Sequence, residues 1–268
     1  MAKFLFLILF YSLSTFSQGP VDGFFKGKGN LDVALSGSYQ HSEKFYMGFN
    51  TISYPRTLTS VSLFAEYGVT NNLDVIANIP FINGQFQDVS FFVKYGLPFD
   101  FCDSESPFHI IPTVGISFPI TNYETQAGQA IGQRATQIQP KLILQYQLKH
   151  GFFIQAQSGY NYTLDPVPSS IPVSAKLGFS KNKIYTDIWF DYQKGLGDIE
   201  WIGGASQNFR TLYVTYSKIG GVVYYSIRPK IGIFLNGSYI LSGINLGKSF
   251  TIGAGFVYKF KLIGPTKK

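Results

Sequence analysis

Three residue patterns in this chain have the types that chemistry needs. His41-Ser42 is the one adjacent His-Ser pair, and a serine nucleophile beside a histidine base is the equipment of a lipase. Neighbouring strand residues point to opposite faces, so these two side chains diverge. The flanking Gln40 and Glu43 also lack the glycine and asparagine context of such enzymes, so His41 is expected to be a solvated loop histidine. Asp187 and Asp191 share one strand face two repeats apart; a barrel protease needs such carboxylates clustered with a His, and no His lies near them in sequence. Gly27-Lys28-Gly29 has neither the spacing nor the following helix of a phosphate loop.

A fourth pattern is larger. Asp32, Glu66, Asp74, Asp88, Lys94, Lys141, Lys176, Asp187 and Asp191 all fall on the polar face of segments with a two-residue period. Gln137, Gln139, Gln145, Gln147, Gln155 and Gln157 add a glutamine-rich patch, and Phe64, Phe92, Phe153, Tyr185, Trp189 and Tyr213 add rings to the same face. Charges enclosed by a narrow wall require partners or water. Asp74 follows the turn at Asn71-Asn72. Lys94 lies six residues past Asp88 on the next strand, about 20 Å along it. Asp74 and Lys94 are therefore expected at one level on neighbouring strands.

The elements that hold these residues are strands. Leu31, Val33 and Leu35 alternate with Asp32, Ala34 and Ser36; Val61, Leu63 and Ala65 alternate with Ser62, Phe64 and Glu66. The same period recurs to Phe260, and about twelve strands of 9–13 residues result, the length a tilted strand needs to cross a bilayer. Tight turns (70–72, 149–151, 181–183, 228–230) alternate with longer polar loops (42–57, 121–135, 164–170, 195–208, 242–248). The stretch 209–228 is too long for one flat strand, so a bulge is expected at Gly220-Gly221. Pro112 and Pro140 fall inside strands, where a sheet without free edges has no place for them except at bulges or later strand starts.

Composition narrows the class. Charged residues are 14% and aromatics 17% of 268 residues, against about 25% charged in an ordinary soluble domain. Tyr39, Tyr67, Phe81, Tyr95, Phe118, Tyr160, Tyr192, Tyr239 and Tyr258 sit near strand ends on the apolar face, like the interfacial girdle of a membrane barrel. The expected fold is all-β: a transmembrane antiparallel β-barrel over 30–260, rather than a soluble β-sandwich. Residues 1–17 read as a cleaved signal peptide, with Lys3, an apolar run from Phe4 to Leu13, and small Thr15 and Ser17. Residues 18–29 are then a periplasmic N-terminal segment and 261–268 a C-terminal tail. One cysteine, Cys102, and three histidines exclude a disulfide scaffold and argue against a zinc site. No cofactor is expected. The 22 basic and 15 acidic residues form no stripe for nucleic acid.

Glu66 to Phe81 (E-Y-G-V-T-N-N-L-D-V-I-A-N-I-P-F), Gln87 to Tyr95 (Q-D-V-S-F-F-V-K-Y), Gly115 to Thr121 and Gly253 to Phe260 resemble the bacterial outer-membrane proteins of the MetA pathway of phenol degradation. Asn122 stands where a glycine is usual in that family. The resemblance implies an outer-membrane barrel and uptake of small, often hydrophobic compounds; it brings no catalytic residues.

Two functions fit the pattern: a passive channel for small solutes, and a structural or interaction barrel whose lumen is filled. A barrel lipase or protease is the remaining, weakest alternative. About twelve strands give a bore that side chains can fill or leave partly open. The expected partners are outer-membrane lipids, a small solute, and the barrel-assembly machinery during biogenesis, with no nucleic acid; oligomeric state is not legible here.

Overall fold

The computed structural model describes residues 21–98, 107–126, 130–198 and 208–262. Residues 1–17, read above as a signal peptide, Cys102 and residues 263–268 lie outside the described residues. β1 (Asn30–Met47) and β2 (Asn50–Gly68) form the first hairpin. β3 (Leu73–Ile82) turns at Asn83-Gly84 into the two-residue stub β4 (Gln85–Phe86) and then β5 (Asp88–Tyr95). β6 (Phe108–Pro119), β7 (Gln137–Gln147) and β8 (Phe152–Gly159) follow, with a second stub, β9 (Tyr162–Thr163), against β7. β10 (Ser170–Lys181), β11 (Ile184–Gly195), β12 (Thr215–Arg228), β13 (Ile231–Ile244) and β14 (Leu246–Lys261) complete the wall.

Each long strand pairs antiparallel with its sequence neighbours, and β14 returns to β1 in a ladder running from Asn30↔Lys261 to Tyr46↔Leu246. The 12 long strands close into a barrel, and closure removes the free sheet edge. Asn30 and Lys261 pair, so the wall begins and ends at one rim.

The alternation read from sequence becomes a two-faced wall. Val61 and Leu63 are each 42% exposed and Val93 46%, while Glu66 is 3% and Gln145 0% exposed. A soluble sheet protein would show the reverse. An apolar outer face around a polar interior is the arrangement of a transmembrane barrel. Tyr95, Phe81, Tyr160, Tyr239 and Tyr258 are exposed near strand ends on that outer face.

Three expectations need correction. Residues 42–57 and 242–248 are not loops: β1 and β2 run on through 18 and 19 residues to a turn at Gly48-Phe49, and β13 and β14 meet at Asn245. At roughly 3.4 Å per residue such strands outreach the bilayer. Beyond it both faces meet water or other loops, so the apolar alternation stops although the ladder continues. Gly220-Gly221 is not a bulge. Both stay in register, and the irregularities fall at Ser217/Lys218 and Ser226/Arg228. Gly220 is needed because a Cβ there would lie 2.3 Å from the Trp189 ring.

The prolines also stay in register. Pro140 lies one residue outside the first β8 pair, Lys141↔Gly159, and its carbonyl accepts from Tyr160 N–H at 3.0 Å. Pro112 lies one residue outside the last β5 pair, Lys94↔Thr113. At each proline the missing N–H interrupts a ladder that resumes beyond it, at the Leu97 N–H to Ile110 carbonyl bond past Pro112 and at Ile138↔Tyr162 past Pro140.

Ile188, 62% exposed, lies between rim residue Ile184 and girdle residue Tyr192 on β11. Ile188→Arg is expected to lower the unfolding free energy by about 2–4 kcal/mol, as a cation near the bilayer midplane does. Urea unfolding in lipid vesicles measures this, with Ile188→Leu expected to match wild type.

Candidate functional site

The lumen begins with an elbow. Gly27 and Gly29 have φ of 77° and 78°, a region open to glycine and strained for other residues. Gly29 N–H donates to the Gly68 carbonyl at 2.8 Å, and a Cβ on Gly68 would meet the Gly27 carbonyl at 2.0 Å. Gly27-Lys28-Gly29 is thus a tight bend. It turns the chain from the rim into the barrel, so residues 21–26 lie inside the lumen and not in the periplasm, where 18–29 were expected.

Wall side chains hold this segment by its backbone. Gln145 and Gln155, direct partners on β7 and β8, each accept from Gly23 N–H, at 3.1 and 3.0 Å. Gln155 Nε2 donates to the Val21 carbonyl at 2.8 Å. Lys26 N–H donates to Asp74 Oδ2 at 2.9 Å. Phe24 packs edge-on to Phe153, with centroids 5.0 Å apart.

Charge fixes it further. Lys94, 0% exposed, places Nζ 2.6 Å from Glu66 Oε1, 3.4 Å from Asp22 Oδ1 and 3.7 Å from Asp74 Oδ2, and donates to the Phe24 carbonyl. Lys26 Nζ lies 3.0 Å from Glu66 Oε2 and 3.3 Å from Asp32 Oδ2. The segment therefore brings one carboxylate and one ammonium into a cluster whose other members come from β1, β2, β3 and β5. Burial alone would raise the Asp22 carboxyl; the ammonium groups of Lys94, Lys26 and Lys176 outweigh it and hold the group at about 2. Burial alone would lower Lys26; Glu66, Asp22 and Asp32 outweigh it and push Lys26 above its ordinary value.

The remaining inward residues form separate groups. Lys176 pairs with Asp187 at 3.3 Å, and Tyr185 donates to Asp187 at 2.7 Å. Asp191 lies 3.8 Å from Lys218, which rests over the Trp189 ring at 5.0 Å. Lys141 sits over Phe92, 4.9 Å from its centroid. Gln139 donates to Ser117 and Gln137, both at 3.2 Å, and Gln157 is on the same inward parity of β8. Asp88 is remote from the Lys94 cluster, at the outer mouth, where it accepts from Tyr123. Sequence reading did not select Asp22, Lys26 or Lys218; Gly23, Gly27 and Gly29 were the available signal for a chain bent through a confined space.

Between the segment and the wall from β10 round to β2 lies a cavity of about 500 Å³, lined by Phe24, Phe64, Tyr185, Trp189, Tyr224 and Phe234 together with Lys26, Asp187 and Lys259. It reaches the β10–β11 turn at Asn182 and Lys183, on the rim where the chain enters.

Two outcomes follow. Lys94→Ala leaves buried carboxylates without their cation and should lower the unfolding free energy by about 3–5 kcal/mol in vesicle urea titrations. Docking of the segment should also depend on pH. Asp22 contributes above its ordinary value of 3.8, and that contribution is lost as pH falls toward 2; Lys26 contributes below 10.5, and its contribution is lost only above that. A nitroxide at Val21 should be immobile at neutral pH and gain mobility on acidification below about pH 4.

Among solved structures, an outer-membrane channel of Pseudomonas putida F1 superposes with a TM-score of 0.71 at 12% identity, covering 91% of this chain and 100% of that one. The NanC porin superposes at 0.59, with 11% identity and coverage of 85% and 100%. The KdgM porin superposes at 0.54, with 10% identity and coverage of 84% and 99%. These likenesses concern the fold, an outer-membrane barrel. No curated protein matches the chain. The family model described as "Putative MetA-pathway of phenol degradation" matches residues 29–262, nearly the whole barrel, and the chain belongs to that family.

Proposed function

We propose that this barrel is a passive channel for small solutes across the bacterial outer membrane, with apolar and aromatic compounds among them. The cavity of about 500 Å³ beside the N-terminal segment carries this reading. A lumen built as a solid plug would close that space with side chains. Here it is narrowed by residues 21–26, and a space lined by rings and polar groups remains alongside. Lipid packs against the apolar outer face, and solute passes within.

The second reading, a structural barrel with a filled lumen, draws on the Lys94 cluster, where Asp74 and Lys94 are both 0% exposed. Such a cluster stabilises the wall at one side of the bore without occupying the other. The geometry also favours transport over catalysis. His41 stacks on Tyr39 and lies against Phe250 on the outer face, whereas Ser42 is buried on the inner one. Asp187 and Asp191 are engaged by Lys176 and Lys218.

Planar-bilayer recording tests the channel. The mature protein should give discrete conductance steps, and deletion of Val21 to Lys26 should raise the step size by widening the bore. Absence of steps in both proteins would contradict transport and leave the filled barrel.

A further inference from the structure

The rim that holds both ends of the wall is basic along one side. The β10–β11 turn carries Lys181 and Lys183, the β12–β13 turn carries Arg228 and Lys230, and the end of β14 and the glycine elbow add Lys261 and Lys28. All six are exposed. Backbone bonds make these segments neighbours. Ser226 N–H donates to the Lys183 carbonyl at 2.7 Å, Lys259 N–H to the Lys230 carbonyl at 2.8 Å, and Leu262 N–H to the Gly29 carbonyl at 2.7 Å. The cations therefore form one continuous arc from β10 round to the elbow.

None of the six enters an ion pair with a described residue. The described carboxylates at this end of the barrel, Asp22, Asp32, Glu66, Asp74 and Asp187, turn into the lumen, where Lys26, Lys94 and Lys176 engage them. The arc is also one-sided. The β2–β3 turn, Thr70-Asn71-Asn72, is uncharged, and the β5–β6 connection, whose residues 99–106 lie outside the described ones, has Asp100, Asp103 and Glu105 in its sequence. The apolar outer face sets the level of the arc. Ile184 follows Lys183, Ile227 precedes Arg228 and Phe260 precedes Lys261, and these three apolar residues are exposed. Lipid tails cover them, so the cations beside them stand where the headgroup phosphates begin. In an outer-membrane barrel the short turns are periplasmic.

We propose that this arc binds the anionic headgroups of phospholipids in the periplasmic leaflet of the outer membrane. Long lysine and arginine side chains at a strand end reach a phosphate while their stems stay beside the tails. Cations meant for a soluble acidic partner have no need of the apolar belt, and these border it. The site lies outside the lumen's ion pairs, and it holds whether or not solute passes through the bore.

The test is lipid retention by the folded mature chain in a nonionic detergent, read by native mass spectrometry with equal amounts of phosphatidylglycerol and phosphatidylcholine. Wild type should retain phosphatidylglycerol by about tenfold or more, because each cation beside an anionic headgroup layer strengthens attachment about fivefold. Lys28→Gln, Lys181→Gln, Lys183→Gln, Arg228→Gln, Lys230→Gln and Lys261→Gln combined should abolish that preference. Lys181→Arg, Lys183→Arg and Arg228→Lys combined, which keep the charge, should preserve it. If the glutamine variant does not fold, the wild-type preference decides, since it should fall as potassium chloride rises from about 50 mM to about 0.5 M. Equal retention of the two lipids, or a preference that survives the glutamine changes or the salt, overturns the proposal. A glutamate-rich peptide that displaces phosphatidylglycerol at equal charge would mark the arc as a surface for acidic proteins and overturn the lipid assignment.

Discussion

The buried ammonium of Lys94 is the interaction on which this structure turns. A closed barrel whose outer face must be apolar has one place for its charged side chains, the lumen, where water is scarce and an unmatched charge is costly. Glu66 and Asp74 reach Lys94 from the wall at 2.6 and 3.7 Å. They carry two negative charges against its one, and Asp32 adds a third. Lys26 supplies a further cation and Asp22 a further anion from a segment that is not part of the wall. The N-terminal segment therefore enters the lumen for an electrostatic reason, and the glycine elbow at 27–29 makes the entrance sterically feasible.

That requirement also gives the barrel its asymmetry. Near the rim that holds both ends of the wall, carboxylates and lysines alternate and are mutually engaged. At the outer mouth, Asp88 is fastened to Tyr123 and to the Ala135 N–H. Between them, rings from β2, β11, β12 and β13 line the open side of the bore. The family match covers the wall and says little about the lumen's contents, so the functional reading depends on these side chains.

Period-two patterning made the wall legible. Parity alone put Glu66, Asp74, Lys94, Gln145 and Asp187 on one face, because a strand offers only two faces and one of them meets lipid. Register is less readable, yet the short turn before Asp74 was enough to set it level with Lys94. The extended hairpin of β1 and β2 was missed because its outer half meets no lipid, and residues such as Ser42, Glu43 and Lys44 then read as loop. The segment holding Asp22 and Lys26 carries no period and follows a stretch resembling a signal peptide, so nothing local marked its direction. The contacts of the described β6–β7 residues with Asp88, Gln87 and residues 208–212 are distant in sequence, and composition does not encode them.

The central claim is that the N-terminal segment sits within the lumen and that solute passes beside it. Cross-linking measures this directly. Val21→Cys and Gln155→Cys, in a Cys102→Ser background, place thiols on residues already joined by a hydrogen bond of 2.8 Å from Gln155 Nε2 to the Val21 carbonyl. Joining them with a short thiol-reactive linker and recording single channels before and after should give efficient coupling and an unchanged conductance step. Failure to couple would contradict the docked position, and loss of current on coupling would show that the segment must leave before anything passes.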